Sequence, residues 1–139
     1  KRVTPAVLAQ AYQLGTVPAG KANGSIAVAE FTKVYWDQED LTAYGTDCGL
    51  GNITVNHYNG SVNKPKQCSV PIIIKPNLCK EAMLDIETIK GVVGSVPLTN
   101  FYSDDYSLMG WAMALNDLPD GDLPLVHSVS YENDESQNA

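Results

Sequence analysis

The chain has 139 residues, enough for one modest domain or part of a larger one. Hydrophobic residues make up 44% and charged residues 18%, which excludes a disordered or fibrous chain. The formal net charge of −7 disfavours nucleic acid and anionic membrane surfaces, both of which call for a basic patch.

In chain order, Thr4 followed by Pro5 is a helix-start signal, and residues 4–12 are read as a helix with Leu8, Ala11 and Tyr12 on one face. Residues 15–24 form a loop. Residues 25–31 are a short apolar run of strand length, as in a buried parallel strand. Residues 37–44 read as a helix capped by Asp37. Residues 46–76 are rich in Gly, Asn and Pro, with short β-like pieces at 52–56 and 70–74. Asn77 is the expected cap of a helix over 78–90, ended by Gly91, with Ala82, Leu84, Ile86 and Ile89 making its apolar contacts. Residues 94–99 are a second strand, kept short by Pro97. Residues 104–116 read as a helix with Asp104 as cap and Leu108, Trp111, Ala112 and Leu115 on one face. A turn at 118–124 leads to a strand at 125–131, and 132–139 is a polar tail. Strands alternate with helices, so the class is α/β with a mostly parallel sheet.

Charge is unevenly spread. Before Gly91 there are nine basic and eight acidic residues; from Gly91 onward there are eight acids and no Lys or Arg. Such a surface repels itself at neutral pH and relaxes as carboxylates protonate; it is read first as a solvated acidic face that aids solubility, with a protein that works in acid as the sharper alternative. Three sequons, at Asn23, Asn52 and Asn59, point to a secreted or lysosomal/vacuolar glycoprotein. In such a compartment two of Cys48, Cys68 and Cys79 can pair, and the spacing leaves open which two. No Cys or His lies at ligand spacing, so no metal site is expected in this chain. His57, His127, Trp36, Trp111 and the tyrosines are read as packing residues, Met83 and Met109 as core filler, and Glu87 as a helix-surface acid or local hydrogen-bond partner. No leader peptide is read at Lys1 and Arg2, a start that fits a processed product as well as a cytosolic one.

Glu81 and Asp85 are four apart on a predicted helix, so their carboxylates share one face. Two like charges that close resist joint ionisation; a proton is shared and one apparent pKa rises. A carboxylate tuned this way can take a proton from a hydroxyl nucleophile in mildly acidic water, where an imidazole is largely protonated. By spacing alone, such a pair is more often a solvated helix face.

Around that pair runs Glu81-Ala82-Met83-Leu84-Asp85-Ile86-Glu87, and later Val126-His127-Ser128-Val129-Ser130-Tyr131. Both segments, with Thr4-Pro5, Ala27-Val28-Ala29-Glu30-Phe31 and Leu118-Pro119, resemble the sedolisin family, the serine-carboxyl peptidases. The resemblance implies a subtilisin-like fold, with residues 1–139 as the N-terminal part of a peptidase catalytic domain. It implies Glu81 as general base for a catalytic Ser, Asp85 as its support, and Ser130, Tyr131 and Glu132 along a cleft that pairs with the substrate backbone. The family's Gly-Thr-Ser nucleophile motif and its Ser-Gly-Asp-Ser-Gly oxyanion segment do not occur in these 139 residues. A complementary heavy chain carrying the nucleophilic Ser and the oxyanion Asp is therefore expected, with calcium bound there and none here. The chain would be the light chain of a two-chain enzyme nicked near Ala139, acting on peptides or proteins. Glu132 stands where the family usually has Gly, and adds a charge beside the cleft. The other reading is a non-catalytic sedolisin-like glycoprotein serving as a binding or structural module.

Overall fold

The computed structural model describes residues 2–15, 24–60, 63–69, 78–134 and 136. Helix α1 (Pro5–Tyr12) starts as expected: the Thr4 hydroxyl accepts the Val7 N–H and Pro5 fills the first turn, where no N–H is needed. Strand β1 (Ile26–Phe31) is buried from Ala27 onward. Helix α2 (Gln38–Asp47) is capped by Asp37, whose carboxylate accepts the Glu39 N–H. Strand β2 (His57–Asn59) and a single helical turn α3 (Pro65–Cys68) follow. Helix α4 (Lys80–Val93), strand β3 (Leu98–Ser103), helix α5 (Leu108–Asn116) and strand β4 (Val126–Val129) complete the order.

The strands form one four-stranded parallel sheet, ordered β2-β3-β1-β4. The α/β class with helices flanking a parallel sheet is thus as read, and it is consistent with a subtilisin-like fold. β1 is apolar at nearly every position because both its edges are paired and both its faces are covered. On one face Val28 and Leu98 meet Leu41 from α2 and Ala82, Met83 and Ile86 from α4, together with Tyr35, Trp36, Ile53 and Val55. On the other face Phe31 packs edge-on against Tyr131, and Phe101 and Trp111 pack against His127.

Several boundaries differ from the sequence reading. The β piece expected at 52–56 lies at His57–Asn59 instead; Asn56 spends its side chain accepting the Leu98 N–H. β3 begins after Pro97, not at 94, and runs to Ser103 through polar Thr99 and Asn100. Parallel pairing on both sides outweighs that polarity. α4 extends past Gly91 to Gly94, which takes the positive φ of +59°. Gly91 serves close packing instead: a Cβ there would lie 2.7 Å from Pro5 Cγ and 2.8 Å from the Tyr44 hydroxyl. The helix after β3 starts at Leu108, capped by Ser107 rather than Asp104, because Asp104 accepts the Tyr102 hydroxyl at 2.7 Å. The last strand is shorter than 125–131. Leu84 and Met109 face outward rather than into the core, as does Tyr12 on α1. Asn77, residues 70–74 and half of the C-terminal tail lie outside the described residues.

Cys68 and Cys79 form the disulfide, pinning α3 to the start of α4, and Cys48 is free. Among the described residues no helix is long and apolar enough to cross a membrane.

Candidate active site

In a parallel sheet the loops at the carboxyl ends of the strands carry function. Glu30 is the next-to-last residue of β1, and Ser130, Tyr131 and Glu132 follow directly on β4. α4 returns antiparallel toward the start of β3, so its first two turns lie at that same end. Those turns hold Glu81 and Asp85.

The structure brings three carboxylates together there. Asp85 is half-buried, and its Oδ1 accepts the Ser130 hydroxyl at 3.3 Å, while Oδ2 is buried without a hydrogen-bond partner. Burial raises its pKa, and the Ser130 hydroxyl offsets part of that rise. The raising cause is desolvation rather than the expected charge of Glu81. No hydrogen bond joins Glu81 to Asp85 among the described residues, although the two stand one turn apart.

Glu30 was not singled out from the sequence as a site residue. It is 1% exposed. Its Oε2 accepts the Tyr131 hydroxyl at 2.9 Å, and its Oε1 is buried unpaired. Burial pushes its pKa up to about 8; the Tyr131 hydrogen bond opposes this, and the charges of Asp85 and Glu81 add to it. At neutral pH and below, Glu30 is therefore mostly a neutral acid beneath the other two. One signal was legible: a lone Glu in the run Ile26-Ala27-Val28-Ala29-Glu30-Phe31, on a strand with no wet face.

Consecutive residues after β4 are each anchored. Ser130 reaches Asp85 and Tyr131 reaches Glu30. The Glu132 N–H donates to the Tyr106 hydroxyl at 3.2 Å, and that hydroxyl donates in turn to the Glu132 carbonyl. Glu132 is thus held through its backbone. Tyr106, Val129, Ser130, Tyr131 and Glu132 line an open cleft of about 440 Å³.

Similarity to known proteins is distant and points one way. Mouse tripeptidyl-peptidase 1 is 28% identical over 144 residues, covering 96% of this chain. The chain spans 23% of the length of that curated relative. No family model matches. The likeness is to a peptidase, in keeping with the sedolisin resemblance of the motifs.

The other candidates lie elsewhere. Asn52 and Asn59 are exposed toward the β2 edge, the far side of the sheet from β4, and Asn23 is outside the described residues. Among the described residues no group of three His, Cys, Asp or Glu side chains is placed to hold a metal ion. His127 is a packing residue, its Nε2 2.8 Å from the Pro124 carbonyl oxygen. Glu87 is not a plain surface acid: half-buried against α2, it is pushed up to about 7 by burial and by the Asp40 charge.

Proposed function

We propose that this chain is the acid-bearing part of a serine-carboxyl peptidase that hydrolyses peptide bonds in acidic surroundings. Glu81 takes the proton from a serine hydroxyl as that hydroxyl attacks the peptide carbonyl, and returns it to the leaving amine. Asp85 holds the proton balance of Glu81, as Asp does for His in the triad of neutral serine peptidases. The serine, and the group that stabilises the oxyanion, come from a complementary heavy chain, and any calcium is bound there. The substrate backbone adds as a strand beside Ser130, Tyr131 and Glu132.

One observation carries this reading: two half- or fully buried carboxyls with raised pKa, Asp85 and Glu30, stand against Glu81 beside a strand edge that is unpaired among the described residues. Buried, mutually repelling acids are costly unless chemistry uses them. An apolar surface that needs a cover supports the second polypeptide. α5 buries none of its residues, and Met109 and Leu125 are 67% and 73% exposed. A secreted or lysosomal/vacuolar setting agrees with the disulfide and with the exposure of the sequon residues Asn52 and Asn59.

The test is hydrolysis of unstructured peptides by the full-length protein. Activity is expected at about pH 3–5, and Glu81→Gln is expected to remove it by at least about 100-fold. Full activity in Glu81→Gln overturns the assignment.

A further inference from the structure

Ser130 lies at a junction. It follows the last residue of β4, whose outer edge is unpaired among the described strands, and its hydroxyl donates to Asp85 Oδ1 at 3.3 Å across 45 residues of sequence. Its neighbour Tyr131 is fixed independently, by Glu30 and by the rings of Phe31 and Tyr106. The position of Ser130 is thus set by the strand and by Tyr131, and Asp85 is the group that gains from the contact. Asp85 needs it, because its other oxygen is buried with no hydrogen-bond partner.

We propose that the Ser130 hydroxyl is a positioning group, which orients the Asp85 carboxylate toward Glu81 and links occupation of the β4 edge to the acid helix. This rests on the peptidase reading above. In the open edge the hydroxyl is exposed and water competes for it. A peptide paired along the edge excludes that water, and a hydrogen bond to a carboxylate strengthens as its surroundings dry. Substrate binding would then tighten the Asp85 geometry when Glu81 is required to act. The electrostatics agree in sign: the hydroxyl favours the ionised form of Asp85, against the burial that opposes it. The other titratable groups facing this place are Glu30 from β1, Tyr131 beyond β4 and Glu81 on the same helix. From α2, Asp40 and Tyr44 face Glu87, and α1 carries no charged side chain.

The test compares wild type, Ser130→Ala and Ser130→Thr in the full-length protein. Ser130→Ala keeps the backbone that pairs with substrate. It is expected to lower kcat roughly tenfold while KM stays within about twofold, the pattern of a lost transition-state interaction. Asp85 without its donor holds its proton to higher pH, so the acidic limb of kcat/KM moves up by about half a pH unit. Ser130→Thr, which retains the hydroxyl, restores both. Thermal unfolding supplies a readout free of catalysis. A raised Asp85 pKa costs stability once the unfolded chain can ionise, so the Tm deficit of Ser130→Ala is larger at about pH 7 than at about pH 4. An unmoved limb with equal Tm deficits at both pH values overturns the proposal. A rise in KM with kcat unchanged also overturns it, since Ser130 would then serve substrate contact alone. If Glu81→Gln stays fully active the peptidase reading falls, and the Tm comparison still decides whether Ser130 controls Asp85.

Discussion

The two faces of the sheet are finished to different degrees. On the face toward α2 and α4, Val28, Leu41, Ile86 and Leu98 are all sealed from solvent, and α1 closes over α4 through Pro5 and Gly91. On the face toward α5, the strand residues Ala27, Ala29, Phe31 and Phe101 are buried, yet α5, which reaches this face through Trp111 against His127, buries none of its own residues. α5 is the more apolar helix of the two in composition, with Leu108, Met109, Trp111, Met113 and Leu115 in nine residues. Burial therefore follows what is packed on a helix, not how greasy the helix is. The candidate acids lie on the finished face, and the edge proposed for substrate borders the unfinished one. The division fits the two-polypeptide peptidase proposed above, with one side rigid enough to hold acids out of water and the other open to a part that would bring the nucleophile.

Core truncation gives the largest expected contrast between the faces. Ile86→Ala removes a side chain with no exposed surface, and should cost about 2–5 kcal/mol in urea unfolding of the full-length protein. Met113→Asp places a charge on a side chain that is 61% exposed here. A truly solvated position would tolerate it within about 0.5 kcal/mol. If the complementary polypeptide covers α5, the cost is about 2 kcal/mol or more, because a charge is then buried unpaired. A neutral outcome at Met113 would show that α5 faces water in the finished protein, and would remove the support it lends to a second polypeptide.

Next in size is Gly91→Ala, which probes how tightly the finished face is closed. In most helices this change is favourable by about 1 kcal/mol. Here the added carbon meets Pro5 Cγ at 2.7 Å and the Tyr44 hydroxyl at 2.8 Å, so α1 has to shift. The net expectation is a loss of about 1–3 kcal/mol, read from the midpoint of denaturant unfolding. A gain would mean that α1 is loosely seated.

What could be read from the sequence followed the same line. β1, α1 and α2 were legible because local chemistry and tertiary role agree there: an apolar run for a doubly covered strand, and Thr4 and Asp37 at true helix starts. That Glu81 and Asp85 stand one turn apart on a helix was legible from their spacing. Gly91 misled because a glycine near a helix end usually stops it, and only the approach of α1 reveals its use. β3 was displaced because Asn100, 1% exposed in a strand paired on both sides, has no signature of burial in its own chemistry. Asp104 misled as a cap because its preferred partner, Tyr102, sits two residues away on β3. Glu30 escaped attention since its role depends on Tyr131, 101 residues later.

The last expected effect is a difference between two pH values, and it is the most specific to the acid layer. Glu30 has a folded pKa of about 8 against an ordinary value of 4.5. Between those values the unfolded chain releases a proton that the folded chain keeps. Stability from this group is therefore present at low pH and is lost progressively as pH rises from about 4.5 through about 8. Glu30→Gln is a neutral side chain of the same shape and can still accept the Tyr131 hydroxyl. At about pH 5 it should mimic the protonated acid, and Tm should change by no more than about 2 °C. At about pH 8 it should melt clearly above wild type, by about 10 °C, because it has no proton to lose. Equal Tm differences at the two pH values would mean that Glu30 is ionised in the folded protein. The finished face would then hold a charged layer rather than a protonated one, and acid would no longer be the condition in which this site is most at ease.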